Sequence, residues 1–525
     1  PPQVPEGELL AVDPTWRFAV AGADEVLTGT LAGPAELVAA VGERPVVAHD
    51  AKALGTLPPV LAHDTLLAAY ILEPARRGYP LRELLEERGL AADLEDEVAA
   101  EALLVRELAA WQREQIVERD LTVVMNEIEL PLVPVLRSME LAGVRLNTGR
   151  MREITTRVRD EVHALELEIW RLCETEFVIG SPQQLGEVLF DKHGLSKKRR
   201  GKTGFSTDAR VLQAIRGEHE VVALIERWRE LNQLDKTYFS VLPQLAAADP
   251  RSRIHTTFLQ AAATTGRLAS TDPNMQNVPI RTDLGREVRG CFEAAPGNVL
   301  VSADYSQIEL RVLAHIADEP VLKEIFVRGE DVHTATASTV FETAPEDLTL
   351  GQRSKAKMVN YGIVYGLSDY GLADRLGIER AEAKAFIEAY FARFPRVQAF
   401  IEETIARATT DGHVTTLWGR RRQIPELKAR NYQVRTLGER LAVNTVIQGT
   451  AADVMKLAIV KVAVALADSP VRPILTVHDE LLFEGPAGEV EEASVLIRRE
   501  MCGVWEHDPP LAVDIGVGPT WMEAK

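Results

Sequence analysis

Four side chains with complementary chemistry recur at every fourth position between residues 353 and 365. Arg353 and Lys357 are cations, and Tyr361 and Tyr365 are aromatic. On an α-helix this spacing places all four on one stripe. A guanidinium and an ammonium suit phosphates, and rings suit a sugar and a base, so the stripe could hold a nucleoside triphosphate. An ordinary amphipathic helix with a solvated basic end would show the same pattern.

Two glycines accompany this stripe. Gly362 and Gly366 each follow a tyrosine and lower helix stability. We expect these small residues to let a base approach the tyrosines closely.

Two carboxylates occupy positions typical of metal ligands. Asp304 ends an apolar strand-like run and precedes a helix-like segment, and Asp479 lies between two apolar half-strands that predict a β-hairpin. The two could share a metal pair. A helix N-cap for Asp304 and a polar turn for Asp479 remain open alternatives.

A third set of side chains repeats at four-residue steps further along the chain. Arg440, Asn444 and Gln448 would share one helix face and could hydrogen-bond to base edges or sugars. A polar helix surface is the alternative.

The elements that must position these residues follow from the hydrophobic pattern. In residues 1–120, strand-like runs at 9–12 and 45–48 and a helical pattern at 64–72 predict a small α/β domain. Residues 121–245 are mostly helical, with amphipathic stretches around 151–175 and 219–236. A basic stretch at 194–206 predicts a loop between them, and strands and helices mix after about residue 250.

Composition excludes several classes of protein. The chain has 525 residues, which suggests about 3–4 compact units. No apolar run is long enough to span a bilayer. No signal peptide is visible either, because the segment that begins at Pro1 lacks a basic start and an apolar core. The three cysteines are far apart, which argues against a local zinc knuckle and a disulfide framework and favours a reducing compartment.

The net charge of −19 is unevenly distributed. Residues 1–120 carry 10 basic and 22 acidic side chains, or −12, and the rest of the chain carries −7. Basic clusters lie at 197–202 and 420–422. Each could be a solvated loop or a contact with nucleic acid, since binding depends on where charge lies rather than on the total.

Four segments together resemble the motifs of family A DNA polymerases, the bacterial DNA polymerase I type and its large Klenow-type fragment. DYSQIELR at 304–311, RSKAKMVNYGIVYG at 353–366 and VHDE at 477–480 resemble motifs A, B and C, and TGRL at 265–268 with PNMQNVP at 273–279 resembles a further family element. All occur in the family's order. The resemblance extends from about residue 121 to the C-terminus, and more weakly over 1–120.

The resemblance implies an α/β and α+β multidomain fold. An RNase H-like 3′–5′ exonuclease-type domain at 1–120 would precede a right-hand polymerase at 121–525. The thumb would lie at about 147–245, the palm at about 250–320 and 441–525, and the fingers at about 321–440. The basic loop at 197–202 would lie at the thumb tip.

The resemblance also implies template-directed DNA synthesis. Primer–template DNA and deoxynucleoside triphosphates would be the partners, and two Mg²⁺ ions the cofactors, held by Asp304, Asp479 and the Tyr305 carbonyl. Glu480 would support this site. The enzyme would act in replication and repair as a monomer, away from membranes, in the bacterial cytoplasm at the nucleoid.

Further roles come from the same resemblance. Lys357 would donate a proton to the pyrophosphate leaving group, Tyr365 would stack near the templating position, and Glu309 would exclude a 2′-OH. The residues implied in nucleotide binding are Gln307, Glu309, His333, Arg353, Lys357, Tyr361 and Tyr365. Those implied in tracking the primer–template near the minor groove are Arg267, Asn274, Gln276, Arg440, Asn444, Gln448 and His478.

The sequence departs from the family pattern at Tyr361, where many members have Phe. A tyrosine there is associated with acceptance of dideoxynucleotides, because its hydroxyl can substitute for the missing 3′-OH. We therefore expect weak discrimination against dideoxynucleotides.

A second departure concerns proofreading, which needs four carboxylates to hold two metals. Asp13 matches the first, but Thr15 and Leu54 stand at the second and third positions. Val98 and Ala102 stand where the last motif has Tyr and Asp. We expect a structural remnant without 3′–5′ exonuclease activity.

Two alternatives to DNA synthesis remain. A single-subunit RNA polymerase shares the two aspartates and the Lys/Tyr helix, although Glu309 and the PNMQNVP element favour DNA synthesis. A non-catalytic DNA-binding scaffold is the second alternative, but Asp304 and Asp479 are both retained.

Overall fold

The computed structural model describes residues 11–12, 17–22, 25–196, 200–201, 204–280 and 282–525. Its first elements, in chain order, are β1 (Ala11–Val12), β2 (Arg17–Ala21), β3 (Val26–Thr30), α1 (Pro34–Val41), β4 (Pro45–Ala48), β5 (Val60–Asp64), α2 (Thr65–Leu72), α3 (Leu81–Glu87), α4 (Glu97–Glu118) and α5 (Leu130–Ala142). The next are β6 (Val144–Leu146), α6 (Thr148–Cys173), α7 (Pro182–Gly186), β7 (Arg200–Gly201), β8 (Gly204–Phe205), α8 (Ala209–Ile215), α9 (Val221–Leu234), α10 (Leu242–Ala248), β9 (Arg253–Ile254), β10 (Thr257–Leu259), β11 (Ala269–Thr271), α11 (Asp283–Arg289) and β12 (Phe292–Glu293).

The remaining elements are β13 (Asn298–Tyr305), α12 (Ile308–Ile316), α13 (Pro320–Val327), α14 (Val332–Val340), α15 (Leu350–Val364), α16 (Asp369–Leu376), α17 (Arg380–Arg393), α18 (Pro395–Asp411), β14 (His413–Thr415), β15 (Arg421–Gln423), α19 (Tyr432–Ala465), β16 (Arg472–Val477), β17 (Glu480–Pro486), α20 (Val490–Gly503) and β18 (Val513–Gly518). Short π-helical segments lie at Val124–Glu129, Glu187–Lys192 and Asp235–Phe239. Short 3₁₀ segments lie at Ala51–Leu54, Pro345–Asp347 and Pro425–Lys428.

The chain divides into two compact units. The first contains Pro1–Ala142, Thr256–Gln276 and Val301–Gly516, and the second contains Gly143–His255, Asn277–Leu300 and Val517–Lys525.

A four-stranded sheet forms the centre of the first unit, in the order β16-β17-β13-β18. Strands β16 and β17 are the predicted hairpin, with Val477 paired to Glu480 across a two-residue turn. The long helix α19 packs against α20, α12 and α5, and Ile459, Ile474 and Phe483 are fully buried in this region. The sheet and α19 therefore give rigid support to the side chains at the ends of β13 and β16.

Helices α14 and α15 pack against each other elsewhere in the first unit. Asp331 caps α14 by accepting a hydrogen bond from the Thr334 backbone N–H at 2.6 Å. Thr349 and Gln352 form a reciprocal capping box at the start of α15. These caps satisfy backbone donors that would otherwise be left without partners, so the chain itself sets where both helices begin.

The N-terminal part of the first unit has the predicted mixture of strands and helices. Strands β1, β2 and β3 form an antiparallel sheet, and β4 pairs in parallel with β5. The predicted strand at Pro45–Ala48 is confirmed. The predicted helix at 64–72 is confirmed as α2, with Asp64 as its cap, but the strand before it, β5, was missed.

Two predicted boundaries fall inside packed structure. Tyr70, Leu121 and Met125 belong to one buried apolar cluster, so the core continues across residue 120. The boundary at 440/441 falls inside α19. The subdomain ranges therefore stay a prediction.

The second unit is mostly helical, and its long helices agree with the predicted amphipathic stretches. Helix α6 packs on α9, and Ile169, Leu212 and Ile225 are fully buried between the helices of this unit. A small antiparallel sheet has the order β12-β6-β9. Within the predicted loop at 194–206, Arg200 pairs with Phe205 in a short hairpin.

No helix in the described ranges is long and apolar enough to cross a membrane. The three cysteines are free thiols; Cys173 and Cys291 are buried, and Cys502 is partly exposed.

Candidate active site

The two predicted metal-binding carboxylates emerge from neighbouring parts of the central sheet. Asp304 is the penultimate residue of β13, and Asp479 lies in the turn between β16 and β17. The Tyr305 backbone N–H donates a hydrogen bond to the Asp479 carbonyl at 3.1 Å. This bond joins the end of β13 to the hairpin turn, so the sheet brings the two aspartates together. The cap of α12 is Gln307, with a positive φ of 56°, so Asp304 does not have the N-cap role.

Cationic side chains act on Asp479, and negative charges act on the nearby Tyr361. Burial raises the pKa of Asp479, which Arg267 and His478 partly offset. The pKa of Tyr361 is raised to about 12 by burial and by the charges of Glu309, Asp479 and Asp304. Three carboxylates therefore act on a single phenol, which is an environment suited to a cation.

Glu480 occupies the first position of β17 and is 3 % exposed. It accepts a hydrogen bond from the Ser302 hydroxyl of β13 at 2.7 Å. Tyr305 is also fixed, because its hydroxyl donates to the Met501 carbonyl at 2.6 Å. The first bond joins β13 to β17, and the second joins β13 to α20, so both fix the strand that carries Asp304.

Glu309, in the first turn of α12, joins three separate parts of the sequence. It is 4 % exposed, forms an ion pair with Arg267, and accepts a hydrogen bond from the Tyr365 hydroxyl at 2.9 Å. Burial raises its pKa, Arg267 and the Tyr365 hydroxyl lower it, and Asp479 raises it further. Residues 267, 309 and 365, which only the family resemblance connected, therefore meet directly.

The predicted four-residue stripe is helical over its first three members. Arg353, Lys357 and Tyr361 lie in α15, and Tyr365 is its C-cap, with its N–H bonded to the Tyr361 carbonyl at 2.9 Å. The Tyr361 and Tyr365 rings stack with centroids 6.2 Å apart. Lys357 is exposed. The stripe thus continues through the end of the helix.

Asp331 holds Arg353 and was missed in the sequence. Its carboxylate accepts from Arg353 Nε at 3.2 Å and from an η nitrogen at 2.6 Å. Burial raises the pKa of Asp331, but hydrogen bonds from Arg353 and Thr334 outweigh burial and lower it to about 2. The sequence signal that was available is the N-cap pattern of an Asp just before a helical run.

His333 lies in the first turn of α14 and is buried at 2 % exposure. Its ring centroid lies 5.7 Å from that of Tyr361. Burial lowers its pKa to about 4, with Asp331 opposing and Lys357 and Arg353 adding to the decrease. The imidazole is therefore neutral at neutral pH.

The two glycines beside the stripe pack against side chains of the protein, and the expectation that they let a base approach stays a prediction. A Cβ on Gly362 would lie 2.9 Å from Leu367 Cδ1, and one on Gly366 would lie 2.6 Å from Arg440 Cγ. A side chain at either glycine would therefore collide with a residue of the protein itself. These glycines allow close packing of α15 and the following turn.

The third stripe is confirmed as one helix face. Arg440, Asn444 and Gln448 lie at four-residue steps in α19. Arg440 is exposed, and the other two are partly buried. In the described residues, the Asn444 side-chain oxygen is buried and has no hydrogen-bond partner.

Several predicted DNA-contacting residues share a small cleft with Asp479. Arg267, Gln276 and His478 line this cleft of about 90 Å³ together with Asp479 and Lys456. Asn274 is exposed, and its side chain accepts a hydrogen bond from the Gln276 backbone at 3.0 Å. The cleft therefore connects the TGRL element to the hairpin turn.

Within the basic cluster at 420–422, Arg420 fits neither alternative considered for the cluster, whereas Arg421 and Arg422 are partly exposed. Arg420 is buried and bonds Glu129 at 2.6 Å and Asp453 at 2.7 Å. Arg422 donates to the Thr445 hydroxyl at 2.9 Å. Arg420 is thus an internal ion-pair residue, which the sequence could not indicate because its partners are distant along the chain. In the other cluster, residues 197–199 and 202 lie outside the described residues.

The positions that match the missing proofreading side chains are apolar where the structure describes them. Val98 and Ala102 are buried in α4 against Ala19 and Ala21 of β2. Leu54 ends a short 3₁₀ segment. Asp13 and Thr15 lie outside the described residues.

Groups of three or more His, Cys, Asp or Glu arranged to hold a metal are absent from the described ranges.

Comparison with known proteins shows the class: the model of DNA polymerase family A matches residues 148–523. The chain belongs to this family. It is 42 % identical to DNA polymerase I of Geobacillus stearothermophilus over 88 % of its own length and 55 % of the relative's. It is 41 % identical to the thermostable DNA polymerase I of Thermus filiformis over 99 % of its length and 63 % of the relative's.

The chain thus spans less than two thirds of the length of these relatives. A solved structure described as "POL domain of Pol1 from M. smegmatis complex with DNA primer-template and dNTP" is also similar. It is 35 % identical with a TM-score of 0.92, and the match covers 97 % of this chain and 93 % of that one.

Proposed function

We propose that this chain is a template-directed DNA polymerase that adds deoxynucleotides to a primer 3′ end. The observation that carries the proposal is the bond from the Tyr305 N–H to the Asp479 carbonyl, because it brings two aspartates from distant motifs to one edge of a sheet. Membership of the family and the likeness to a polymerase domain solved with primer–template and dNTP support it.

The donor set fits Mg²⁺. Asp304 and Asp479 supply carboxylate oxygens, and Tyr305 has a main-chain carbonyl at the same strand end. Mg²⁺ commonly uses one or two carboxylates and takes further oxygens from substrate phosphates and water. Two such ions, held by these residues, would lower the pKa of the primer 3′-OH and would stabilise the charge of in-line phosphoryl transfer. Glu480 would keep the strands in register beneath this site.

The α14–α15 pair would bind the incoming triphosphate. Arg353 and Lys357 supply positive charge for the phosphates, and His333 supplies a neutral ring. Lys357 would donate a proton to the leaving pyrophosphate, in keeping with its exposed ammonium. Gln307, three residues after Asp304, would contact the nucleotide from the β13 side.

Selection of the sugar and of the base pair would depend on the residues around Glu309. Its buried carboxylate, fixed by Arg267 and Tyr365, would exclude a 2′-OH. Tyr365 would stack near the templating position. Tracking of the primer–template near the minor groove is assigned to Arg267, Asn274, Gln276, Arg440, Asn444, Gln448 and His478. Minor-groove acceptors are much alike for all correct pairs, so these contacts suit an enzyme that accepts any sequence.

We further propose that residues 1–120 do not proofread. Leucine, valine and alanine side chains cannot bind metal, and Val98 and Ala102 are packed in an apolar core. The test is 3′–5′ degradation of labelled DNA by pure protein with Mg²⁺. Degradation that Asp13→Ala abolishes would disprove this proposal.

The cellular setting is part of the same proposal. We expect a monomer that acts in the bacterial cytoplasm at the nucleoid, in replication or repair. Analytical ultracentrifugation with and without primer–template measures the mass of the particle and so tests whether the protein is a monomer.

The central test is primer extension by Asp304→Asn and Asp479→Asn. Each removes one carboxylate charge with little change in shape, so we expect extension to be lost while the melting temperature stays close to that of the parent. Glu86→Gln, which removes an exposed carboxylate, is the matched control. Near-normal extension by either aspartate variant would contradict the proposal. Preference for ribonucleotides would favour the RNA polymerase alternative, and DNA binding without extension by the parent would favour the scaffold.

A further inference from the structure

A chain of three buried polar side chains connects α14 to α15. His333 and Thr336 lie in α14, and Asn360 lies in α15. His333 is 2 % exposed, and the other two are fully buried. Asn360 Nδ2 lies 2.9 Å from His333 Nδ1, and the Thr336 hydroxyl lies 3.0 Å from Asn360 Oδ1. An unpaired buried amide is costly, and the structure pairs both ends of the Asn360 amide, with Nδ2 towards His333 and Oδ1 towards Thr336.

This orientation determines where the proton of the neutral imidazole lies. A neutral ring has one N–H and one acceptor nitrogen. Asn360 Nδ2 can only donate, so Nδ1 accepts and the ring proton is on Nε2. The Thr336 hydroxyl stabilises this arrangement by donating to Asn360 Oδ1. The Val332 carbonyl, at 2.8 Å, competes for the same hydroxyl proton. If the hydroxyl donated to the Val332 carbonyl instead, the Asn360 amide could exchange the positions of Oδ1 and Nδ2, and the ring proton would then lie on Nδ1.

The position of the proton matters for a phosphate ligand. Phosphate oxygens accept hydrogen bonds, so a neutral imidazole can bind them only through an N–H. Burial keeps the pKa of His333 at about 4, which prevents the ring from donating as a cation at neutral pH. Nε2 is the remaining ring nitrogen, and none of the described residues forms a hydrogen bond with it. The Asn360 orientation gives Nε2 the proton that such a ligand needs.

We propose that Asn360, supported by Thr336, is a positioning residue that holds His333 as the Nε2–H tautomer and so prepares it to donate to a phosphate oxygen of the incoming triphosphate. Asn360 acts through His333 and does not contact the ligand itself. The ligand rests on the proposed function, whereas the tautomer is a property of the free protein. The two can therefore fail separately.

The tautomer is measured directly by NMR of the whole chain carrying ¹⁵N-histidine, without nucleotide. His333→Gln identifies the His333 signals by their loss. We expect the proton on Nε2 in the parent and a proton on Nδ1 in Asn360→Asp, because a carboxylate accepts rather than donates. Asn431→Asp, the same change at the exposed cap of α19, should leave the signals of His333 unchanged. A proton on Nδ1 in the parent would overturn the proposal whether or not the protein polymerises.

The consequence for binding is measured as the KM for a deoxynucleotide at about pH 9, above the usual titration range of histidine. Asn360→Asp should raise KM on the order of tenfold, the cost of one hydrogen bond to a charged group, with a smaller change in kcat. In a His333→Gln background the same substitution should have little further effect. Additive effects would show that Asn360 does not act through His333. If the parent protein has the Nε2–H tautomer but does not extend a primer, the proposal about the tautomer stands and the proposed function is rejected.

If Asn360→Asp fails to fold, Thr336→Val gives a second route. It removes the hydroxyl that holds Asn360 Oδ1 and keeps the side-chain shape. We expect partial loss of the single Nε2–H form. A parent-like signal in Thr336→Val would contradict the role of Thr336.

Discussion

The Tyr361 phenol lies close to two other rings and to several carboxylates. Its ring stacks on Tyr365 and lies near His333, and burial with nearby carboxylates raises its pKa to about 12. The hydroxyl therefore keeps its proton at any pH at which the enzyme would work. It can donate a hydrogen bond to an acceptor on the incoming nucleotide.

This donor leads to a prediction about dideoxynucleotides. We expect the parent to incorporate ddTTP nearly as well as dTTP, because the Tyr361 hydroxyl replaces the missing 3′-OH. Tyr361→Phe should increase discrimination about tenfold or more, the value of a hydrogen bond to a charged group. Competition between dTTP and ddTTP in primer extension measures the ratio. Strong rejection of ddTTP by the parent would contradict the prediction.

At the residue scale, the sequence predicted what local pattern can encode. The strand end at Asp304 and the hairpin turn at Asp479 follow from short apolar runs, and both are confirmed. The contacts of Asp331 and Asn360 cross between helices, and no local pattern records such contacts. The packing contact of Gly366 was missed for the same reason, because Arg440, which packs on it, is 74 residues away in sequence.

At the element scale, Asp331 has two roles. It caps α14 and holds Arg353 of α15, so one carboxylate links the start of one helix to the side of another. Removing its charge should weaken the attachment without removing the cap, because Asn is also a good N-cap residue.

The predicted consequence is a pH-dependent difference in stability between the parent and Asp331→Asn. The pKa of Asp331 is lowered from 3.8 to about 2, so its contribution is complete above about pH 4 and is lost as pH falls through 2. The parent should have the higher melting temperature at pH 5, and the gap should shrink towards pH 2. Thermal unfolding across this range measures it. A gap that is constant with pH would show that the charge of Asp331 does not stabilise the fold.

A second element-scale prediction compares two glycines with nearly the same backbone. Gly366 has φ 66° and Gly377 has φ 64°, both in the left-handed region. Gly377→Ala meets open space, whereas Gly366→Ala would force Arg440 to move. We expect about 1–2 kcal/mol of destabilisation from backbone strain in both, and a further loss in Gly366→Ala only. Chemical denaturation measures the free energy of unfolding. The affinity for DNA should fall only in Gly366→Ala, because only that substitution displaces Arg440. Equal losses with unchanged affinity would exclude this role for the Arg440 contact.

Helices with clear periodicity were predicted well from sequence, as α6 and α9 show. Strand β5 was missed because it continues directly into α2, and its three apolar residues, Val60, Leu61 and Ala62, are too short a run to indicate a strand. The change of direction depends on Asp64, which caps α2 and also accepts from the Ala51 N–H at 2.8 Å. A carboxylate with partners on two segments cannot be recognised from one of them.

At the scale of the whole molecule, a buried ion cluster joins segments that are distant in sequence. Glu129, from the π-helical segment before α5, bonds both Arg420 and Lys456 at 2.6 Å, and Asp453 of α19 bonds Arg420. The Arg420 guanidinium also lies 6.0 Å from the ring of Tyr70 in α2, whose hydroxyl donates to the Ala263 carbonyl at 2.7 Å. The N-terminal part of the first unit is thus attached to the segment that leads into the TGRL element.

This ion cluster explains why the role of Arg420, within the basic run at 420–422, was missed. Charge runs are usually solvated, and the compensating carboxylates at 129 and 453 cannot be paired with it from sequence alone. Burial of Lys456 lowers its pKa to about 8, with Glu129 opposing that decrease and Arg420 adding to it. The ammonium is therefore kept charged mainly by Glu129.

The final prediction is that Glu129 stabilises the first unit as a whole. Glu129→Gln would leave two buried cations, Arg420 and Lys456, to share the single carboxylate of Asp453. Breaking a buried ion pair on one side typically costs about 3–5 kcal/mol, so we expect a large fall in the melting temperature. Glu86→Gln removes the same charge from a pair with Arg82 on the exposed face of α3 and should change little. Because α2 meets the cluster through Tyr70, limited proteolysis of Glu129→Gln should release N-terminal fragments before the rest of the unit unfolds. Equal melting temperatures for the two variants would mean that the cluster does not hold the first unit together.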